Sequence, residues 1–391
     1  MEEVMKKQRF LFWIILLVLA ACELLVSWKV DGFSDFYVEK VFPIFLNTYG
    51  RISALFPFSI GEMLIYGAVV YTVFTIVIWM CRFVHFVDGN DRLKKFSRVN
   101  SKIFFKIVIF ICLVQVQNCF VLYHTSTLYE GTEAESFDGT KDELVALRER
   151  LAARANELSA TFERDENGEI IYDGDIKETA KTAMKSLGDE AESRLGSEDE
   201  QLLDKKLSLL SGFYSSPKAF YKSDFFSQQY IKGYYFPFTL EANYNDLMYI
   251  ANLPDTMCHE LSHLKGFIFE DEASFIAYLA CVNSGDEFFE YSGILNALSY
   301  VDSEIDKEAS EDENLAALLT PENDYVRFDK TFLTSEAWAE VESDALMDTK
   351  KVSKASDTFL DTNLTLNGVS DGIVSYSRMV KLLLKYYHEW Q

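Results

Sequence analysis

The chain is short of positive charge. Its 391 residues carry 37 Lys and Arg against 61 Asp and Glu, a net of −24. A nucleic-acid binder needs a basic footprint that displaces counterions from phosphates, so that class of partner is excluded. Cysteine is scarce as well, and six in this length make no disulfide framework. Cys22, Cys81, Cys112 and Cys119 fall in or beside apolar runs. Cys258 and Cys281 lie in the polar part and are expected either as a pair or as free thiols. No internal repeat and no low-complexity tract occurs, which excludes a repeat architecture. Histidine is limited to five positions: His85, His124, His259, His263 and His388.

Long apolar runs are present, and they are confined to the first third. Phe10–Trp28, Ile60–Met80 and Ile103–Tyr123 are each about the length that a bilayer core of ~30 Å requires of a helix. Residues 1–123 carry a net +4 and residues 124–391 a net −28. The pattern predicts a membrane domain over 1–123, with transmembrane helices at about 10–28, 60–80 and 103–123, followed by a large acidic portion.

Lys and Arg placement sets the expected orientation. Lys6, Lys7 and Arg9 precede the first run, and Arg82, Arg92, Lys94, Lys95, Arg98 and Lys102 stand around the connection between the second and third. The first connection holds only Lys29, Lys40 and Arg51. By the positive-inside rule the N-terminus is cytoplasmic and everything after Tyr123 is extracytoplasmic, which makes this a multi-pass cell-membrane protein with the lipid bilayer as its first partner. Leu19-Ala20-Ala21-Cys22 resembles a lipoprotein cleavage site, but the run continues through Leu24, Leu25 and Val26, which favours an uncleaved helix. Glu23 and Glu62 lie near run ends, where the membrane interface accounts for them.

Beyond Tyr123 the periodicity is helical. Thr140–Ala160, Ile176–Leu195, Leu253–Lys265, Glu270–Val282, Asp286–Val301 and Ser370–Tyr387 are expected as helices. Tyr214–Tyr230 has no assignable pattern. Tyr234–Asn245 reads as an edge strand broken by Pro237, with a structural edge favoured over a peptide-docking one. Phe220–Phe226 reads as core packing. The fold class is therefore mainly α, with a small β element, and divides at 124–230, an acidic helical region, and 231–391.

The chemistry lies in that last part. His259-Glu260-Leu261-Ser262-His263 is an H-E-x-x-H pattern. On a helix the two imidazoles share a face and reach one metal ion, and Glu260 beside them can take a proton from a metal-bound water. Asp255 is placed to cap the helix, and Gly266 lets the chain turn. A catalytic zinc site needs a third protein ligand. The position of a third His in H-E-x-x-H-x-x-G-x-x-H sites is Phe269 here, so a His–His–Glu site remains. Glu270, Asp271 and Glu272 open the next helix. Asp271 reads as a solvated acid. Glu270 shares a face with the small residues Ala273, Ser274 and Ala277, and is favoured over Glu272, whose face carries Phe275 and Ile276.

Three segments carry a resemblance: Pro237–Asn243, Cys258–Phe267 and Glu270–Phe275. Together with Leu55–Ser59 and Ser375–Val380, they resemble a family of bacterial membrane proteins defined as a domain of unknown function, DUF3810. The resemblance implies three membrane helices followed by a zincin-like domain over 231–391. The acid helix also resembles the third-ligand helix of gluzincin peptidases, with Ser274 in the place of a residue that orients a ligand histidine. The closing motif brings Tyr376 and Arg378 forward as candidate oxyanion donors.

The expected activity is that of a membrane-anchored zinc metallopeptidase acting on a peptide or protein outside the membrane. His259 and His263 with Glu270 or Glu272 would hold Zn²⁺, and Glu260 would be the base. The alternative is a non-catalytic sensor or scaffold that binds a partner. Hydrolysis of a non-peptide amide is a weaker third reading. An intramembrane protease is disfavoured, because the motif lies in a charged stretch.

Overall fold

The computed structural model describes residues 2–84, 91–128, 139–194, 206–310, 319–367 and 376–389. His85 lies outside them. The architecture is mainly helical with one three-stranded sheet, and the chain divides into two units. The first comprises residues 1–125 with 236–241, and the second 126–235 with 242–391. The region 126–230 therefore belongs with the residues that carry the H-E-x-x-H motif.

Three helices of the first unit are long and apolar enough to cross a membrane: Leu11–Lys29, Ile60–Val84 and Asp91–His124. Val70, Met80 and Phe83 stand largely exposed on the second, a surface that water would penalise and hydrocarbon would not. The helix that carries the third run begins at Asp91, because the basic stretch before Ile103 continues it. Polar side chains join neighbouring spans. Asn100, buried on the third, donates to Thr75 Oγ1 (3.1 Å) and accepts from Tyr71 OH (3.1 Å) on the second, while Trp79 Nε1 donates to Ser101 Oγ (2.8 Å). Such bonds replace water as the partner of groups that lipid cannot satisfy. Glu23 accepts from Gln117 Nε2, and Glu62 from Tyr66 OH (2.6 Å), so both run-end carboxylates have protein partners.

Residues 236–241 pack within this unit. Glu241 is fully buried, and its two oxygens accept from the N–H groups of Ile60 (3.2 Å) and Gly61 (2.7 Å). These donors open the second span and have no helical partner of their own, so a carboxylate is favoured there. Thr239 O accepts from Ser53 Oγ (2.7 Å), and Pro237 O from Asn118 Nδ2 (2.7 Å).

The second unit buries a helical core. Lys141–Ser159 begins with a capping box in which Thr140 Oγ1 accepts from Glu143 N and Glu143 accepts from the Thr140 N–H. Its stripe Leu144, Leu147, Leu151, Ala152 and Leu158 is buried. Ile176–Arg194, Leu253–His263, Glu270–Val282, Glu287–Ala309 and Tyr376–Glu389 follow. The sheet has the order β1-β3-β2, with β1 Lys218–Ala219, β2 Gly233–Phe236 and β3 Glu241–Tyr244; β1 and β3 run parallel, and β2 is an outer strand. Pro237 falls between β2 and β3, not inside a strand. The unassigned Tyr214–Tyr230 stretch supplies β1 and the short helix Ser223–Ser227, where Phe220 stacks on Phe226.

One buried ion pair ties distant segments together. Arg164 holds Asp329 through two hydrogen bonds (2.9 and 2.6 Å), and Tyr249 OH (2.8 Å) and Tyr291 OH (2.6 Å) donate to the same fully buried carboxylate. Every acceptor position is needed to offset its desolvation. Tyr291→Phe removes one charge-assisted bond and is expected to destabilise the protein by about 2 kcal/mol, read as a lower unfolding temperature of the full chain in detergent.

Candidate metal centre

The sequence of the Leu253–His263 helix determines how it starts and stops. Pro254 occupies the first turn, where its missing N–H costs nothing, and Asp255 lies in the same turn. Asp255 does not cap the helix as expected, because the helix already begins at Leu253, which places this residue inside it. Its N–H donates to Ser292 Oγ (3.1 Å), and burial pushes its carboxyl up to about 7 against the pull of Lys232. The helix ends at His263, and the chain turns at Gly266, whose φ of 97° suits a residue without a Cβ. Gly266 N–H donates to His263 O (3.0 Å) and Phe267 N–H to Ser262 O (3.3 Å). This turn brings Phe267 O to 2.6 Å from His263 Nδ1.

His259 and His263 project from one face, one turn apart, and the Glu270–Val282 helix returns alongside. Glu270 Oε2 stands 3.0 Å from His259 Nε2 and 3.7 Å from His263 Nε2, and the two Nε2 atoms are 3.1 Å apart. Among the described residues this trio is the group whose ligand atoms can meet on a metal ion. Ligand distances of about 2.0–2.1 Å in a tetrahedral site place neighbouring donors ~3.3 Å apart, and the three edges bracket that figure. The Nδ1 atoms are already engaged by protein. His263 Nδ1 faces Phe267 O, and His259 Nδ1 faces Ser274 Oγ at 3.2 Å. The Nε2 lone pair of His263 is thereby left for the point where the trio converges, and that of His259 likewise when Ser274 accepts from Nδ1.

Electrostatics favour positive charge at that point. The Glu270 side chain is about half exposed, yet its carboxylate is desolvated by the protein around it, which raises the acid. The His263 charge and hydrogen bonds to both imidazoles more than reverse this and hold it well below the usual carboxylate range. Burial lowers His263, but Glu270 lifts it to about 9; burial lowers His259 outright. A divalent cation placed there would take over the role of those protons.

Glu260, next to His259 on the same helix, lies against Gly233 of β2. Its carboxyl is buried and pushed up to about 8 by that burial, and Oε2 has no hydrogen-bond partner. A Cβ on Gly233 would stand 2.5 Å from Glu260 Oε1, so only glycine leaves the carboxylate room. A buried, unpartnered carboxylate oxygen is costly and is kept where chemistry uses it.

The structure separates the remaining candidates. Glu272 turns away from the histidines: it is buried, accepts from Leu128 N–H (2.6 Å) and is pushed up to about 8 by burial. Arg378 Nε lies 3.0 Å from Asp271 Oδ2, so its guanidinium partners the acid between Glu270 and Glu272. Asp271 is buried and not the solvated acid expected. Tyr376 opens the last helix, and its side chain lies outside the described residues. Cys258 and Cys281 are free thiols, fully buried, with their sulfurs 3.9 Å apart. His124 packs on Trp28, and His388 lies beside Glu143.

Two residues of the site do not emerge from the sequence pattern: Gly233, and Tyr300, whose OH stands 3.0 Å from Ser274 Oγ. A lone glycine opening a strand signals a close approach, so Gly233 is legible in principle. Tyr300 lies 26 residues beyond Ser274 and carries no local signal.

What these elements define is a mainly helical chain with three candidate membrane-spanning helices and a His–His–Glu cluster. The family model described as a protein of unknown function, DUF3810, matches residues 37–384, and the chain belongs to that family. Neither the curated proteins nor the solved structures compared contain a match to it.

Proposed function

We propose that this protein is a membrane-anchored zinc metallopeptidase with a zincin-like second unit, hydrolysing peptide bonds on the extracytoplasmic side. The observation that carries the reading is the triangle of His259 Nε2, His263 Nε2 and Glu270 Oε2, with both Nδ1 atoms committed to protein partners. Two imidazoles and one carboxylate are the donor set of catalytic zinc sites, which keep one further position open. Zinc held there supplies a Lewis acid and lowers the pKa of water bound to it.

The chain's own residues do the rest. Glu260, with its unpartnered oxygen, accepts the proton of the attacking water and later delivers it to the leaving amine. Gly233 keeps the space in which that carboxylate lies, and the outer strand β2 offers a backbone beside which an extended peptide can lie. A sensor or scaffold without turnover has no use for an unsatisfied Glu260, which favours the hydrolytic reading. The extracytoplasmic placement rests on the distribution of Lys and Arg around the spans.

The test is cleavage of a mixed quenched-peptide pool by the full chain in detergent. Activity should vanish with a zinc chelator and return with added zinc. Activity that resists chelation, or no cleavage by the zinc-loaded protein, would overturn the reading. Gly233→Ala forces Glu260 to move, and a displacement near 1 Å can cost about 100-fold. We expect a rate loss of that order with zinc content unchanged, measured by parallel cleavage and metal assays.

A further inference from the structure

We propose that Tyr300 is a positioning residue for this metal centre, acting through Ser274 to fix the tautomer of His259. The proposal rests on the metallopeptidase reading above. The two ligand histidines are oriented differently. His263 Nδ1 faces a backbone carbonyl, which only accepts, so that nitrogen must carry the proton and Nε2 must keep its lone pair. His259 Nδ1 faces the Ser274 hydroxyl at 3.2 Å, which can either accept or donate. If Ser274 donated to Nδ1, the proton of the neutral ring would move to Nε2, and His259 would no longer bind a metal.

A second hydroxyl gives the serine proton another place to go. Tyr300 OH, from the Glu287–Ala309 helix, lies 3.0 Å from Ser274 Oγ. Ser274 has one proton to give and is almost fully buried, so no bulk water competes for it. Donation of that proton to Tyr300 leaves a serine lone pair facing His259 Nδ1, which then holds its own hydrogen. The chain Nδ1–H to Ser274 to Tyr300 thus gives His259 what the Phe267 carbonyl gives His263. Tyr300 works on the metal ligand through Ser274.

The experiment is a double-mutant cycle on zinc affinity, using the full chain in detergent and competition with a chelator of known affinity. Ser274→Ala leaves the Nδ1 donor without an acceptor and should weaken zinc by about 10- to 100-fold, the usual range for an outer partner of a ligand histidine. Tyr300→Phe keeps the ring and should weaken zinc on the order of tenfold. The double variant should bind no more weakly than Ser274→Ala alone, because the effect of Tyr300 on zinc passes through Ser274. With chelator present, Tyr300→Phe should unfold no lower than Ser274→Ala. Wild-type affinity in Tyr300→Phe, additive losses in the double variant, or an unfolding temperature in chelator well below that of Ser274→Ala would overturn the relay. Wild-type protein that binds no zinc would instead overturn the metallopeptidase reading itself.

Discussion

Glu260→Gln should keep its zinc and lose hydrolysis by about three orders of magnitude. The substitution preserves size and the buried position against Gly233, so the packing that holds the side chain survives. It removes the ability to take a proton. General base catalysis contributes about 10²–10⁴-fold, and the amide cannot substitute for it. Neutralising a buried carboxyl that is already pushed up to about 8 should not destabilise the fold, and the unfolding temperature should be unchanged or higher. Cleavage assays and metal analysis on the same preparation separate the outcomes. Loss of zinc would make Glu260 a ligand, and retained cleavage would assign the base elsewhere.

The second large effect concerns the ligands. His259→Ala, His263→Ala and Glu270→Ala each remove one corner of a triangle with edges of 3.0, 3.1 and 3.7 Å. Each is expected to weaken zinc by about 10³-fold, equivalent to ~4 kcal/mol. Glu272→Ala should leave zinc affinity near wild type, because that carboxyl accepts from Leu128 N–H and faces away from the imidazoles. Its cost falls on stability, since a buried N–H loses its acceptor. Chelator competition across the four variants tests the assignment directly, and a larger affinity loss in Glu272→Ala than in Glu270→Ala would reverse it.

Much of this arrangement is legible in the sequence because it is local. Three apolar runs in succession meet a length criterion that buried helices of soluble domains seldom meet, and the histidines are spaced for one helical face. Capping residues such as Thr140 with Glu143 mark helix starts within a residue or two. The choice between Glu270 and Glu272 follows from the small residues on the Glu270 face, since a helix carrying Ala273, Ser274 and Ala277 can approach closely. What the pattern does not carry is non-local. Arg164 and Asp329 are 165 residues apart, and each alone reads as a surface charge. Glu241 reads as one more strand residue, yet it lies buried at the start of a candidate membrane-spanning helix about 180 residues upstream. Pro237 reads as a strand breaker, yet it belongs to the segment joining two strands. Asp255 reads as a cap because an acid near a helix start suits one, yet it lies inside the first turn, and Asp271 reads as solvated because its partner Arg378 is supplied by a distant helix. In each case tertiary packing decides what periodicity alone leaves open.

The central claim is that two imidazoles and one carboxylate hold a single divalent ion. Zinc-edge X-ray absorption on the zinc-loaded full chain addresses it most directly, because it reports both the presence of the metal and its neighbours. The account predicts about one zinc per chain with nitrogen and oxygen ligands only, at ~2.0–2.1 Å, and the multiple scattering of two imidazoles. Protein that retains no zinc, or a spectrum dominated by sulfur at ~2.3 Å, would contradict it.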